Sequence, residues 1–163
     1  MYDSNPKDSH EFCSRVAVYG TLRTGESNHF LFRESGAHLP SLGTFKLPGY
    51  SCFVMSATSF RSIPFIANND ELVSMGHKPA GAVTVEVFTC GPDEWDELLE
   101  NLDSLEGHPS WYLRTLVEIG GERTWVYVFT GEVLESYLDI SSHRQIVPTG
   151  DWLNPLPEVQ EVD

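Results

Sequence analysis

Hydrophobic and polar positions along the chain follow two periods. Residues 15–22 alternate and are rich in β-branched and aromatic side chains, which predicts a buried first strand. Thr21, Gly25 and Asn28 lead from it into a short helix over about residues 28–34, with Phe30 and Leu31 facing inward and Asn28 or Ser27 as N-cap. Residues 42–47 and 50–56 read as strands around a turn signal, Pro48-Gly49. Residues 62–67 form another extended piece, in which Pro64 favours a sheet edge. The strongest strand pattern is at residues 82–89. Beyond Gly91 the period changes to helical. Pro92 suits a first turn, acids follow it as the helix dipole prefers, and Trp95, Leu98, Leu99 and Leu102 make one apolar stripe. Residues 103–109 are expected to break this helix. Residues 112–119 and 124–130 read as a hairpin across Gly120-Gly121, and residues 133–137 as a weaker helix. Residues 67–79 are polar and irregular, a loop in which substrate choice would be made if it lies at a pocket mouth.

This order, mostly strands with one short early helix and one good late one, is an α+β pattern. No helix long enough for a doubly wound fold follows the first strand, so the sheet is expected to be antiparallel or mixed and barrel-like. The length of 163 residues suits a single domain with its own core. We divide it into a polar lead (1–14), a domain (15–150) and an acidic tail (151–163) with Pro155 and Pro157, extended over the surface or frayed.

Charge narrows the function classes. The net charge is −14, and it is unevenly placed: residues 1–81 balance 7 basic against 7 acidic side chains, whereas residues 82–163 hold 3 against 17. That balance argues against binding a nucleic-acid backbone or docking on an anionic membrane. No apolar run approaches the ~18 residues of a membrane span, and residues 1–14 lack the apolar core of a secretory signal. Cys13, Cys52 and Cys90 are odd in number and widely spaced, neither a disulfide framework nor a metal motif, so a reducing cytoplasm is the simplest inference. The six histidines, at positions 10, 29, 38, 77, 108 and 143, make no close metal spacing, so no metal site is expected. Phosphate-cradling glycine loops and the nucleophile elbow are absent as well.

Two segments carry candidate chemistry. Tyr19, Gly20, Thr21 and Leu22 end a strand. Gly20 permits an unusual backbone conformation or close approach of a ligand, and successive N–H groups in such a turn form a nest for a carboxylate. The second segment is Leu102-Asp103-Ser104-Leu105-Glu106-Gly107. Glu106 sits among apolar neighbours that disfavour its charge, which suits proton exchange near neutral pH. Asp103 is the competing acid, with a local hydrogen-bonding role near the helix end as its alternative.

Together these segments resemble the γ-glutamylcyclotransferase-like superfamily, which includes the AIG2-like proteins and γ-glutamylamine cyclotransferases. The resemblance begins at Tyr19-Gly20-Thr21-Leu22 with the Asn28-His29 pair. It continues at Pro48-Gly49-Tyr50, Pro64 and residues 81–87. It is strongest at Leu102-Asp103 and Glu106-Gly107 followed by Tyr112 and Arg114. The two signatures stand in the family's order, about 80 residues apart. The resemblance implies a compact mixed barrel with flanking helices and a cavity at one end. It implies Tyr19, Gly20, Thr21 and Leu22 as the loop binding the glutamyl group, and Glu106 as catalytic acid/base, with no cofactor. Tyr112, Arg114 and Tyr127 match family-typical positions that core packing explains equally well.

The implied reaction is cyclisation of a γ-glutamyl amide, a small-molecule substrate, to 5-oxoproline with release of an amine or amino acid. The alternatives are a non-catalytic module for a small carboxylate or a protein partner on the same fold, and a related γ-glutamyl transfer or deprotection step. The acidic excess leans toward amides of cationic amines over more anionic γ-glutamyl peptides. The oligomeric state is left open.

Overall fold

The structure, a computed structural model, describes residues 15–26, 28–29, 41–55, 63–89, 91–138 and 145–153. Cys13, Cys90, His10, His38, His143, most of the expected early helix and most of the tail lie outside the described residues. The elements run β1 (Arg15–Val18), β2 (Ser41–Leu47), β3 (Tyr50–Val54), β4 (Pro64–Asn68), α1 (Asn69–Ser74), β5 (Val83–Thr89), α2 (Pro92–Glu106), β6 (Leu113–Ile119), β7 (Glu122–Val128) and α3 (Gly131–Tyr137).

The α+β class holds, and the sheet is mixed. Five strands pair in the order β2-β5-β1-β7-β6, and β3 pairs with β4 separately. Strand β1 is antiparallel to β5 and parallel to β7. The expected barrel is corrected to a curled, open sheet, because no ladder joins the edge strands β2 and β6. The edges nevertheless approach. A Cβ placed on Gly120, in the β6–β7 turn, would lie 3.4 Å from the Phe45 ring of β2. A register irregularity between Ser41 and Gly43 helps β2 bend.

Curling covers both faces of the central strands, which is why β5 is buried along nearly its whole length although its sequence alternates Val83, Val85 and Val87 with Thr84 and Glu86. Alternate residues of β1 enter different cores. Val16 and Val18 pack with Trp95, Leu98 and Leu102 of α2. Ala17 and Tyr19 pack with Val85, Val87, Val126 and Val128. The β3–β4 ribbon splits in the same way, Phe53 and Phe65 joining the first core and Cys52 and Ile66 the second. Cys52 is buried, and burial pushes its thiol far up, so it behaves as a small apolar side chain.

Three element boundaries differ from expectation. Strand β1 stops at Val18, because the chain turns at Gly20, whose carbonyl accepts the N–H of Arg23 at 3.0 Å. Helix α2 runs through Asp103 to Glu106 and ends only where Gly107 takes a left-handed conformation (φ 68°). Residues 67–79 contain helix α1. The Asn68 side chain accepts the N–H groups of Asp70 and Glu71, and the Glu71 carboxylate accepts from Thr130 and Gly131 at the start of α3. This segment therefore braces α3 and is not part of the cavity wall described below.

Candidate active site

A cavity of about 210 Å³ opens where β1 gives way to the loop at Tyr19–Leu22. All five residues singled out from sequence line it: Tyr19, Gly20, Thr21, Leu22 and Glu106. The sheet delivers the loop and the last turn of α2 delivers the acid, so the fold brings the two signatures together.

The loop is fixed from several sides. Within it, Asn28 donates its backbone N–H to the Thr21 carbonyl and its side-chain amide to Thr21 Oγ1, at 2.8 and 2.7 Å. Beyond it, Arg23 bonds Asp151 Oδ1 at 2.8 Å. Thr24 gives its N–H and hydroxyl to Glu86 at 2.9 and 2.7 Å, and Ser41 adds a third bond at 2.8 Å. Burial pushes the Glu86 carboxyl up, but these three bonds and the Arg23 charge outweigh it and hold it below the usual range. Among the described residues, no protein acceptor takes the N–H groups of Gly20, Thr21 or Leu22. Three successive free donors on a cavity wall are suited to an anionic oxygen. Gly20 does not have positive φ. It is required for close approach, because a Cβ there would lie 2.8 Å from Pro64 Cγ.

Glu106 stands opposite in chemistry. Burial raises its pKa to about 7. Among the described residues nothing donates a hydrogen bond to its carboxylate. Three tyrosines share the cavity wall, yet each hydroxyl is bonded elsewhere: Tyr19 to the Tyr127 carbonyl at 2.8 Å, Tyr112 to the Pro64 carbonyl at 2.5 Å, and Tyr127 to Asp103 Oδ1 at 2.6 Å. Burial, followed by neighbouring groups that include Glu106, holds Tyr19 and Tyr112 protonated. Burial and the bond to Asp103 do the same for Tyr127. The carboxylate therefore lies in an apolar cavity without a partner, poised to take up a proton.

Asp103, the competing acid, is engaged structurally. It pairs with Arg114 at 2.9 and 3.2 Å, and Arg114 in turn lies 4.6 Å over the Trp125 ring. Arg114 and Asp103 lie outside the cavity wall: Arg114 holds Asp103, and Asp103 holds Tyr127 in the wall. Residues that sequence reasoning did not assign to the site include Asn28, Ile63, Pro64, Leu105 and Trp111. Asn28 was legible as a helix cap and as part of the family resemblance, but not as a cavity residue. The contact of Gly20 with Pro64 joins two distant segments and has no local signal.

Glu86→Gln would weaken the three bonds that tether the loop. It is expected to cost about 1–2 kcal/mol at pH 7. Because Glu86 is held below its unfolded pKa, its contribution is present above about pH 4 and lost as pH falls through the lower folded value. Denaturant unfolding of both proteins at several pH values checks this, the difference between them shrinking in acid.

The chain matches the family described as gamma-glutamyl cyclotransferase, AIG2-like, over residues 16–154, and belongs to that family. A Vibrio cholerae protein named "Putative gamma-glutamylcyclotransferase" is 29% identical over 140 residues, which are 84% of this chain and 93% of the relative. Among solved structures, an aig2-like protein from Mus musculus superposes with a TM-score of 0.56 at 20% identity, covering 81% of this chain and 86% of that one. An uncharacterized protein from Pyrococcus horikoshii gives 0.56 at 22% identity, covering 85% and 89%. The structural likenesses establish the fold, and the family and the Vibrio relative support a cyclotransferase-like function. No helix among the described residues is long and apolar enough to cross a membrane.

Proposed function

We propose that this protein is a γ-glutamyl cyclotransferase that converts a γ-glutamyl amide into 5-oxoproline and a free amine. The observation that carries the reading is the unpartnered Glu106 carboxyl, with its pKa near 7, in one cavity with the free N–H groups of Gly20, Thr21 and Leu22.

The chemistry follows from the substrate, which carries its own nucleophile. Glu106 takes a proton from the α-ammonium. The freed amine attacks the γ-carbonyl carbon and closes a five-membered ring. The tetrahedral intermediate then expels the amide nitrogen, which receives the proton back from Glu106; the ring nitrogen sheds its second proton as the lactam forms, and the released amine takes that proton up as its ammonium form. One C–N bond forms, one breaks, and no water is consumed. Holding the substrate folded makes the attack intramolecular, worth an effective molarity of ~10⁵ M or more. The loop N–H groups bind the α-carboxylate or the developing oxyanion.

The test is release of 5-oxoproline by the purified full chain from a panel of γ-glutamyl amino acids, γ-glutamyl amines and glutathione, followed by mass spectrometry. Release from at least one class is expected. Silence across the panel, with saturable binding of a γ-glutamyl compound, would instead favour a carboxylate-binding module.

A further inference from the structure

The cavity is graded from end to end. Toward its buried end Tyr19 and Leu22, on the loop that carries the free N–H groups, are only 7% and 4% exposed. At its outer end Ile63 and Leu105 are 47% and 37% exposed. Five large apolar side chains are this exposed among the described residues, and two of the five lie at this one opening. An isolated exposed leucine needs no explanation, but two converging on a cavity mouth do.

Their convergence is enforced by one residue. Tyr112 donates its backbone N–H to the Glu106 carbonyl at 3.2 Å and its hydroxyl to the Pro64 carbonyl. It thereby ties the segment carrying Leu105 to the segment carrying Ile63. The Trp111 ring, packed 5.1 Å from that of Tyr112, extends the same wall with its apolar face, while its buried indole N–H has no partner among the described residues. Among the described lining residues, Glu106 is the only charged one. A second charge on the substrate, beyond the α-amino and α-carboxyl groups, meets no counter-charge there.

Resting on the cyclotransferase reading, we propose that the preferred substrates are γ-glutamyl amides of apolar amines, alkyl or aryl, whose side group lies on Ile63, Leu105 and Trp111 at the mouth. The zwitterionic head enters first, toward the loop. The scissile nitrogen stops beside Glu106, and its substituent points outward over the apolar rim. The choice is made by local contacts, so the cationic amine favoured by overall charge is not the one the mouth selects.

Four γ-glutamyl amides of matched length test this: those of hexylamine, aminopentanol, cadaverine and aminohexanoate. The expected result is a kcat/KM for the hexylamide about fivefold or more above the cadaverine and aminohexanoate amides, with the alcohol between. Leu105→Ser and Ile63→Ser are each expected to compress that ratio. A flat or inverted ratio in the wild-type enzyme, with 5-oxoproline still released, would overturn the apolar mouth and leave the cyclotransferase standing. An unchanged ratio in both variants would overturn the assignment to these residues. Absence of 5-oxoproline from all four amides and from the broader panel would overturn the reaction itself.

Discussion

Glu106→Gln is expected to lower 5-oxoproline release by at least ~10²-fold, the loss typical of removing a positioned acid/base. Glutamine is near in size and fills the same space at the end of α2, so the fold is retained. Stability separates the two effects. The Glu106 carboxyl titrates near 7 in the folded protein against an ordinary value of 4.5. The folded state therefore holds this proton more tightly than the unfolded chain does. Below about pH 4.5 both states are protonated and the burial of Glu106 carries no electrostatic penalty. As pH rises to 7 and beyond, the folded protein must bury a charge, and stability falls. The glutamine variant escapes that penalty, so at pH 8 it should be more stable than wild type by up to about 3 kcal/mol, and the advantage should nearly vanish toward pH 4.5. Urea unfolding at the two pH values checks it. A variant that is inactive and also less stable at pH 8 would point to a structural role. For the wild-type enzyme, kcat/KM should rise with pH through about 7 as the base ionises.

Gly20→Ala is the second large effect, expected to reduce kcat/KM about 10²-fold with far-UV circular dichroism close to wild type. The new methyl carbon would stand 2.8 Å from Cγ and 3.4 Å from Cδ of Pro64. A proline ring cannot swing aside as a long side chain would. Pro64 is further held by β4 and by the Tyr112 hydroxyl on its carbonyl. The loop must therefore give way, and it carries the N–H groups proposed to hold the substrate. A displacement of roughly 1 Å in a reacting geometry costs about that factor. Full activity in Gly20→Ala would mean that the loop does not set the geometry of the reaction.

How far the sequence disclosed this molecule depends on the range of the forces involved. Strand β5 and helix α2 were legible because burial imposes its period directly on neighbouring residues, as Val83, Val85 and Val87 or Trp95, Leu98 and Leu102 display. Helix α1 was not, because its residues are polar and its signal is a cap: Asn68 ahead of Asp70 and Glu71. The open edge between β2 and β6 depends on pairing between remote segments, which no local pattern encodes. Within the site, both signatures lie in the cavity wall, but the state of Glu106 could be read only in outline. That its three tyrosine neighbours all bond elsewhere is a property of the assembled cavity. The apolar mouth was hidden for the same reason, since Ile63 and Leu105 are separated in sequence and come to one cavity only in the fold, where Tyr112 ties their neighbours Pro64 and Glu106 together.

The place of β1 at the centre of the sheet has a kinetic consequence. Its register partners, Thr89 for Arg15 and Trp125 for Val16, are synthesised long after it. A growing chain carries this strand with no neighbour until β5 has emerged and with only one until β7 has, and loop closure over such distances is slow. The loop that follows β1 gains one anchor, Glu86, with β5, but the other, Asp151, comes after β7. The first described strand is thus enclosed wholly by strands made after it, and the last tie on the cavity loop comes from residue 151.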